Sequence, residues 1–249
     1  MTNCMMSTPI TNATRLPLKS ISTIDLGCVL VVAPHPDDET LGCGGAIAAL
    51  RLLDYPVQVL VISDGTLSHP RSQKYPAAAL RSLREQETIA ALNCLGVSAE
   101  AVTFLRLPDG SISDHLTSDL TGTACCAYLQ AVLPKTVFLP WRCDPHPDHR
   151  AAWQLIHQAI STLVLSPRII EYPIWDWDPD QRETVNNSAK ITGWRLNIST
   201  IVHLKQQAIA QYRSQTTNLI DDDPEGFRLT PEMLANFSHP WELYFEELL

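Results

Sequence analysis

Runs of apolar residues alternate with amphipathic segments along most of the chain. CVLVVAP (28–34) carries no polar alternation, the pattern of a strand buried on both faces. TLGCGGAIAALRLLD (40–54) predicts a helix and VQVLVIS (57–63) a second strand. AAALRSLREQETIAALNCLG (77–96) predicts a long amphipathic helix ended by Gly96. The rhythm continues with a strand at 101–107, a helix at 116–133 closed by Pro134, and a strand at 136–140. A helix at 148–165 and a strand at 168–174 complete it. Strands alternating with helices predict βαβ units and a parallel sheet covered on both faces.

Beyond residue 174 the pattern changes. WDWDPDQRETVNNSAK (175–190) reads as an exposed aromatic loop, ITGWRLNI (191–198) as a strand, and TIVHLKQQAIAQYRSQ (200–215) as a helix. DDDPEGF (221–227) is a turn-rich loop, and the tail WELYFEELL ends apolar. There is no repeat and no low-complexity linker. The expected architecture is α/β: a three-layer Rossmann-like fold, with a mostly parallel sheet and a C-terminal α/β elaboration. Residues 1–24 form a lead-in, and 25–249 form one domain.

Composition narrows the classes. At 249 residues the chain can bury a sizeable core, and 45% hydrophobic with 18% charged residues is an ordinary globular balance. A net charge of −9 argues against nucleic acid as a partner, because that needs a basic face. Seven cysteines, an odd number with no C-x-x-C pair, argue against a disulfide framework and against a cysteine zinc knuckle. Cys125 and Cys126 read as small core residues. The set fits a reducing compartment, and the cytoplasm is the expected location. No run approaches the roughly 20 apolar residues of a membrane span. The N-terminus lacks a secretory h-region, so a short disordered or surface-bound lead-in is expected. A homo-oligomer stays open.

In open parallel sheets, ligands bind at the carboxyl ends of the strands. The first strand runs into PHPDDE, and the fourth is followed closely by WRCDPHPDH. PHPD therefore occurs twice, at 34–37 and 145–148, each time just after a strand. The topology brings both copies to one edge of the sheet. Together they offer three imidazoles (His35, His146, His149) and the carboxylates of Asp37, Asp38, Asp148 and Asp144. Two histidines and one carboxylate make a common facial set for a catalytic zinc. His35 and Asp38 share one tight turn, and His149 starts the next helix. Asp37, lying between two ligands, stands where a general base belongs.

Simpler explanations exist for each residue alone. A histidine near a helix start is usually a cap or a surface group, and Asp-Asp is usually an N-cap. Capping does not ask for histidine in both copies. Gly42, Gly44 and Gly45 match no phosphate-binding loop, and they read instead as close packing of the first helix on the sheet. No G-x-S-x-G nucleophile elbow is present.

PHPDDETLGCGG with the later PHPDH resembles the PIG-L/LmbE family of zinc-dependent N-deacetylases, from about Val29 to the C-terminal region. Softer matches are RSLREQETIAALNCLGV (81–97), LRLPDG (105–110) and YRSQ (212–215). The resemblance implies removal of acetyl from an N-acetylglucosamine-type conjugate, with Zn2+ as cofactor or another divalent metal such as Fe2+. It implies His35, Asp38 and His149 as metal ligands and Asp37 as general base. It implies His146 as the oxyanion-stabilising histidine, protonated and oriented by Asp148. Arg84 and Asp109 would hold the sugar. The alternatives for Arg84 and Asp109 are a surface ion pair of Arg84 with Glu87 and an ordinary turn at PDG. Some members carry a tyrosine two residues before the second-copy histidine. Here Asp144 stands there, so a tyrosine role does not transfer. Trp175 and Trp177 either stack on a sugar or pack their loop onto the domain. Two other classes stay open: a metal-dependent phosphoesterase, and a non-catalytic sugar- or nucleotide-binding module.

Overall fold

A computed structural model describes residues 9–24, 27–177 and 190–248. The lead-in at 1–8 and the 178–189 part of the aromatic loop lie outside the described residues.

The chain enters through a 3₁₀ segment, Pro9–Arg15, and a short strand β1 (Leu18–Lys19). The α/β rhythm follows as β2 (Val29–Ala33), α1 (Asp38–Leu52), β3 (Val57–Ser63), α2 (Ala77–Cys94) and β4 (Val102–Leu107). It continues with α3 (Asp119–Val132), β5 (Thr136–Pro140), α4 (Pro147–Thr162) and β6 (Arg168–Tyr172). The C-terminal part holds β7 (Ile191–Asn197), α5 (Val202–Ile209), α6 (Arg213–Thr216), α7 (Pro231–Ala235) and β8 (Trp241–Glu247).

Among the described residues these strands form one sheet in the order β1-β7-β8-β6-β5-β2-β3-β4. Strands β2 to β6 pair parallel. The strand β8 sits antiparallel between β6 and β7. The central strand β2 is hydrophobic throughout because each of its faces meets helices. Val29, Val31 and Ala33 of β2 join the core under α1, α2 and α5. Leu30 and Val32 join the opposite core under α3 and α4, where Cys125 also packs. The three-layer expectation is met.

Three details differ from the expectation. Leu18 and Lys19 pair with Arg195 and Leu196, and Ile10 and Ala13 pack beside Trp141 and Phe245. The boundary at residue 24 therefore falls inside the packed structure. The helix expected over 200–215 is broken between Ile209 and Arg213, where buried Tyr212 turns inward. The apolar tail is a full strand, β8, whose seven residues pair with β7. The glycines of α1 do serve close packing. A Cβ on Gly42 would lie 2.2 Å from the Tyr172 ring, and one on Gly45 would lie 2.6 Å from Ile198.

In this order the neighbours β2 and β5 send their connections to opposite sides of the sheet. The crevice at their carboxyl ends is the topological switch point of the fold. Both PHPD copies lie there.

Candidate active site

The first copy turns sharply from β2 into α1. Asp37 takes the N-cap position at φ 133, ψ −28, a conformation costing a non-glycine residue about 1–3 kcal/mol. Its side chain caps nothing. Instead Arg84, projecting from α2, donates from Nη2 to Asp37 Oδ2 at 3.1 Å. Arg84 also donates to the Pro36 carbonyl at 2.6 Å and the Gly65 carbonyl at 2.9 Å. The Asp37 amide donates to Glu39 at 3.2 Å, and Glu39 in turn accepts from the hydroxyls of Thr40 and Tyr212. Glu39 and Tyr212 lie in stretches that match the family but carried no assigned role in the sequence, and both are buried supports.

The second copy is regular. His146 is the N-cap of α4 and Pro147 opens the helix, a favoured first-turn position for proline. The Asp148 amide donates to His146 Nδ1 at 3.2 Å, so the His146 ring proton sits on Nε2. The expected hydrogen bond from His146 to the Asp148 carboxylate is not formed. That carboxylate accepts from the amides of Gly110 at 2.8 Å and Ile112 at 3.2 Å, and it lies 3.3 Å from His35 Nε2. The loop after β4 supplies these amides, a long-range contact with no local mark in the sequence.

Three donor atoms converge between the copies. Asp38 Oδ2 lies 3.2 Å from His35 Nδ1 and 3.3 Å from His149 Nε2. For metal bonds of about 2.0–2.1 Å, a tetrahedral edge is roughly 3.3 Å, so this spacing suits one zinc-sized ion. The far nitrogen of each histidine faces a carboxylate. His35 Nε2 is 3.1 Å from Asp109 Oδ1, and His149 Nδ1 is 3.4 Å from Asp144 Oδ1. Such outer carboxylates fix the tautomer and ring direction of metal-binding histidines. Asp144 is fully buried and also accepts the amides of His146, Ile174 and Trp175. Neither ring nitrogen of buried His149 forms a well-aligned hydrogen bond, as suits a side chain built to bind an ion. His35, Asp38 and His149 together form a group able to hold a metal.

Electrostatics separates the groups. Burial pushes Asp37 up to about 8 despite the opposing charge of Arg84. Burial acts the same way on Asp38, but His149 and His35 outweigh it and hold Asp38 well below the usual carboxylate range. Burial works against protonation of His149, yet Asp38 and Asp144 lift it to about 9. The same negative field favours a divalent cation. His146 goes the other way: burial, then the charges of His149 and His35, lower it to about 4. That direction favours the neutral imidazole, whose proton on Nε2 is free to donate.

His149 is fully buried, and His35, Asp37, Asp38 and His146 form the floor of a cavity of about 690 Å³. Arg84 and Asp109 both line it, and both are already engaged within the site. Glu87 accepts from Ser214 instead, so the surface pairing with Arg84 is not observed. The tryptophans part ways. Trp175 lines the cavity beside His146, with ring centroids 6.3 Å apart, whereas Trp177 packs near His239 and Trp241.

Fold and site together define a Rossmann-like protein with a candidate metal centre at the switch point of its sheet. The model of the PIG-L family, GlcNAc-PI de-N-acetylase, matches residues 30–160, more than half of the chain, and the chain belongs to that family. It is 27% identical over 218 residues to the probable N-acetyl-alpha-D-glucosaminyl L-malate deacetylase 2 of Bacillus subtilis. That match covers 84% of this chain and 92% of the relative. It is 27% identical over 195 residues to the diacetylchitobiose deacetylase of Thermococcus kodakarensis, covering 77% of this chain and 71% of that protein. Its fold matches the N,N'-diacetylchitobiose deacetylase structure from Pyrococcus horikoshii with a TM-score of 0.61. The two are 22% identical, over 90% of this chain and 84% of that one. Among the described residues no helix is long and apolar enough to cross a membrane.

Proposed function

We propose that the chain hydrolyses the N-acetyl group of an N-acetylglucosamine-type conjugate, releasing acetate and a free amine. The observation that carries this reading is the convergence of His35, Asp38 and His149 on one point, with His35, Asp38 and Asp37 lining the cavity. The relatives named as sugar deacetylases support the substrate class.

His35 Nδ1, Asp38 Oδ2 and His149 Nε2 would hold the ion, zinc by preference for this donor set and ferrous iron as the other candidate. Zinc, when bound, supplies Lewis-acid polarisation and makes water acidic enough to attack at neutral pH. Asp37 takes the proton of the attacking water and returns it to the departing amine. A carboxylate pushed up to about 8 by burial is matched to that exchange. Arg84 fixes the Asp37 carboxylate in direction and keeps part of it ionised. His146 donates its Nε2 proton to the oxygen on which charge develops. Asp148, on the amides of Gly110 and Ile112, holds His35 and ties the second copy to the loop after β4. Asp109, which lines the cavity, also holds His35. The cysteine usage supports a reducing compartment, the cytoplasm, as the location of this reaction.

An acetate-release screen over N-acetylglucosaminides with different aglycones, with metal content measured on the same sample, tests the reading. Release should require bound metal, stop with chelator and return with zinc. A fully zinc-loaded protein that releases no acetate from any of them would remove the deacetylase assignment.

A further inference from the structure

The apolar wall of the cavity differs from the catalytic floor in kind. Leu67, Trp175, Phe227, Leu229 and Met233 line it, drawn from three separate segments of the chain. Trp175 and Phe227 meet edge to face with centroids 5.6 Å apart. The wall is fixed in place. Phe227 donates its amide to the Ser68 carbonyl at 2.6 Å, and Leu229 to the Gln215 carbonyl at 2.8 Å. Asp222 accepts the amides of Gln73 and Lys74 and the hydroxyl of Ser72 at 2.7–2.9 Å, while Asp223 accepts the Arg71 amide at 2.9 Å. The 221–229 segment is thus clasped to the 68–74 segment, and its apolar side chains are presented to the cavity ready-made.

Charge excludes one class of occupant. Among the described lining residues Asp37, Asp38 and Asp109 are acidic and Arg84 is the one Lys or Arg. Three of the five N–H donors of Arg84 are spent on Gly65, Pro36 and Asp37, which leaves its buried Nε–H and a single N–H of Nη1. A carboxylate or phosphate on the aglycone would find no free basic fork to pair with. Volume argues that an aglycone is present, because about 690 Å³ takes a drug-sized ligand rather than one acetylated sugar ring.

We infer that the wall of Leu67, Trp175, Phe227, Leu229 and Met233 is an aglycone subsite for an uncharged apolar group, alkyl or aryl, joined to the acetylated sugar. This inference rests on the proposed deacetylase reading for the sugar but not for the apolar contact. It sets the chain apart from a relative whose name specifies a malate conjugate.

The test uses the full zinc-loaded chain and two readouts. Calorimetry measures the binding of octyl and phenyl N-acetylglucosaminide, below micelle-forming concentration, against the N-acetylglucosaminyl malate conjugate and free N-acetylglucosamine. Acetate release is then measured on the same four. The octyl or phenyl glycoside should bind at least tenfold tighter than the malate conjugate, with a negative heat-capacity change from apolar burial. Its kcat/KM should lead by a similar factor, and the octyl and phenyl arms tell alkyl from aryl. Met233→Lys should narrow or reverse the ratio of apolar to malate conjugate. Equal or tighter binding of the malate conjugate overturns the inference, as does a ratio that Met233→Lys leaves unmoved. Absence of turnover with the predicted affinity order would overturn the deacetylase reading and leave the subsite standing.

Discussion

The tetrapeptide Pro-His-Pro-Asp occurs twice, and the fold treats the two copies as opposites. In the first, the backbone is bent into a region that L-residues avoid, and Asp37 is left facing an arginine at the cavity floor. In the second, the same letters make an ordinary helix start, with His146 capping and Pro147 in the first turn. The aspartates diverge accordingly. Burial raises Asp37 to about 8. Burial also acts on Asp148, but His35 and the amides of Gly110 and Ile112 overcome it and lower its pKa. The histidines diverge too: His35 is held well above its ordinary value by Asp109, Asp148 and Asp38 against the effect of burial, while His146 falls to about 4. A local motif therefore fixes which side chains arrive at the switch point. What each one does there depends also on groups distant in sequence, such as Arg84 for Asp37 and Gly110 and Ile112 for Asp148.

The comparison can be broken most sharply at the histidines. His149→Ala should leave the protein without stoichiometric zinc and without turnover, whereas His146→Gln should keep its zinc and lose about 10²–10³ in kcat. Metal analysis beside kinetics separates them, and a full zinc complement in His149→Ala would reverse the two roles. The aspartates come next. Asp37→Asn should cut kcat by about 10²–10⁴ with metal retained, the usual worth of a positioned base. Asp148→Asn should cost only about 10–100-fold, as a support acting through His35. Equal losses would erase the distinction between the copies.

The smallest effect concerns Arg84. Its charge lowers the pKa of Asp37 against burial, and the base works in its ionised form. Replacing Arg84 with Met therefore raises that pKa, and the acidic limb of the pH–rate profile should move up by about 1 unit. An unmoved limb would confine Arg84 to a packing role.

Much of this was legible in the residues. Strands such as VLVVA are apolar without alternation because helices cover both faces, and that leaves an unmistakable pattern. The two histidine copies were legible because each follows such a strand. Less legible were the contacts that close over distance. Nothing in WELYFEE announces that it will insert between β6 and β7, since strand pairing is written in neither partner alone. Asp144 read as one more carboxylate, yet it is the buried group that faces His149 and gathers three amides. Asp148 was expected on His146 because the two are adjacent in sequence. The helix start instead turns its carboxylate toward the loop after β4.

The clasp through Asp222 and Asp223 has a bearing on how such a protein can diversify. The groups proposed for chemistry all lie within 30–160, while Trp175, Phe227, Leu229 and Met233 follow it in the chain. Because the clasp anchors the 221–229 segment through backbone amides of 71, 73 and 74, its apolar side chains can be exchanged while its anchor points persist. Selection, natural or in the laboratory, can therefore rewrite what enters the cavity as a cassette, with the reaction inherited unchanged.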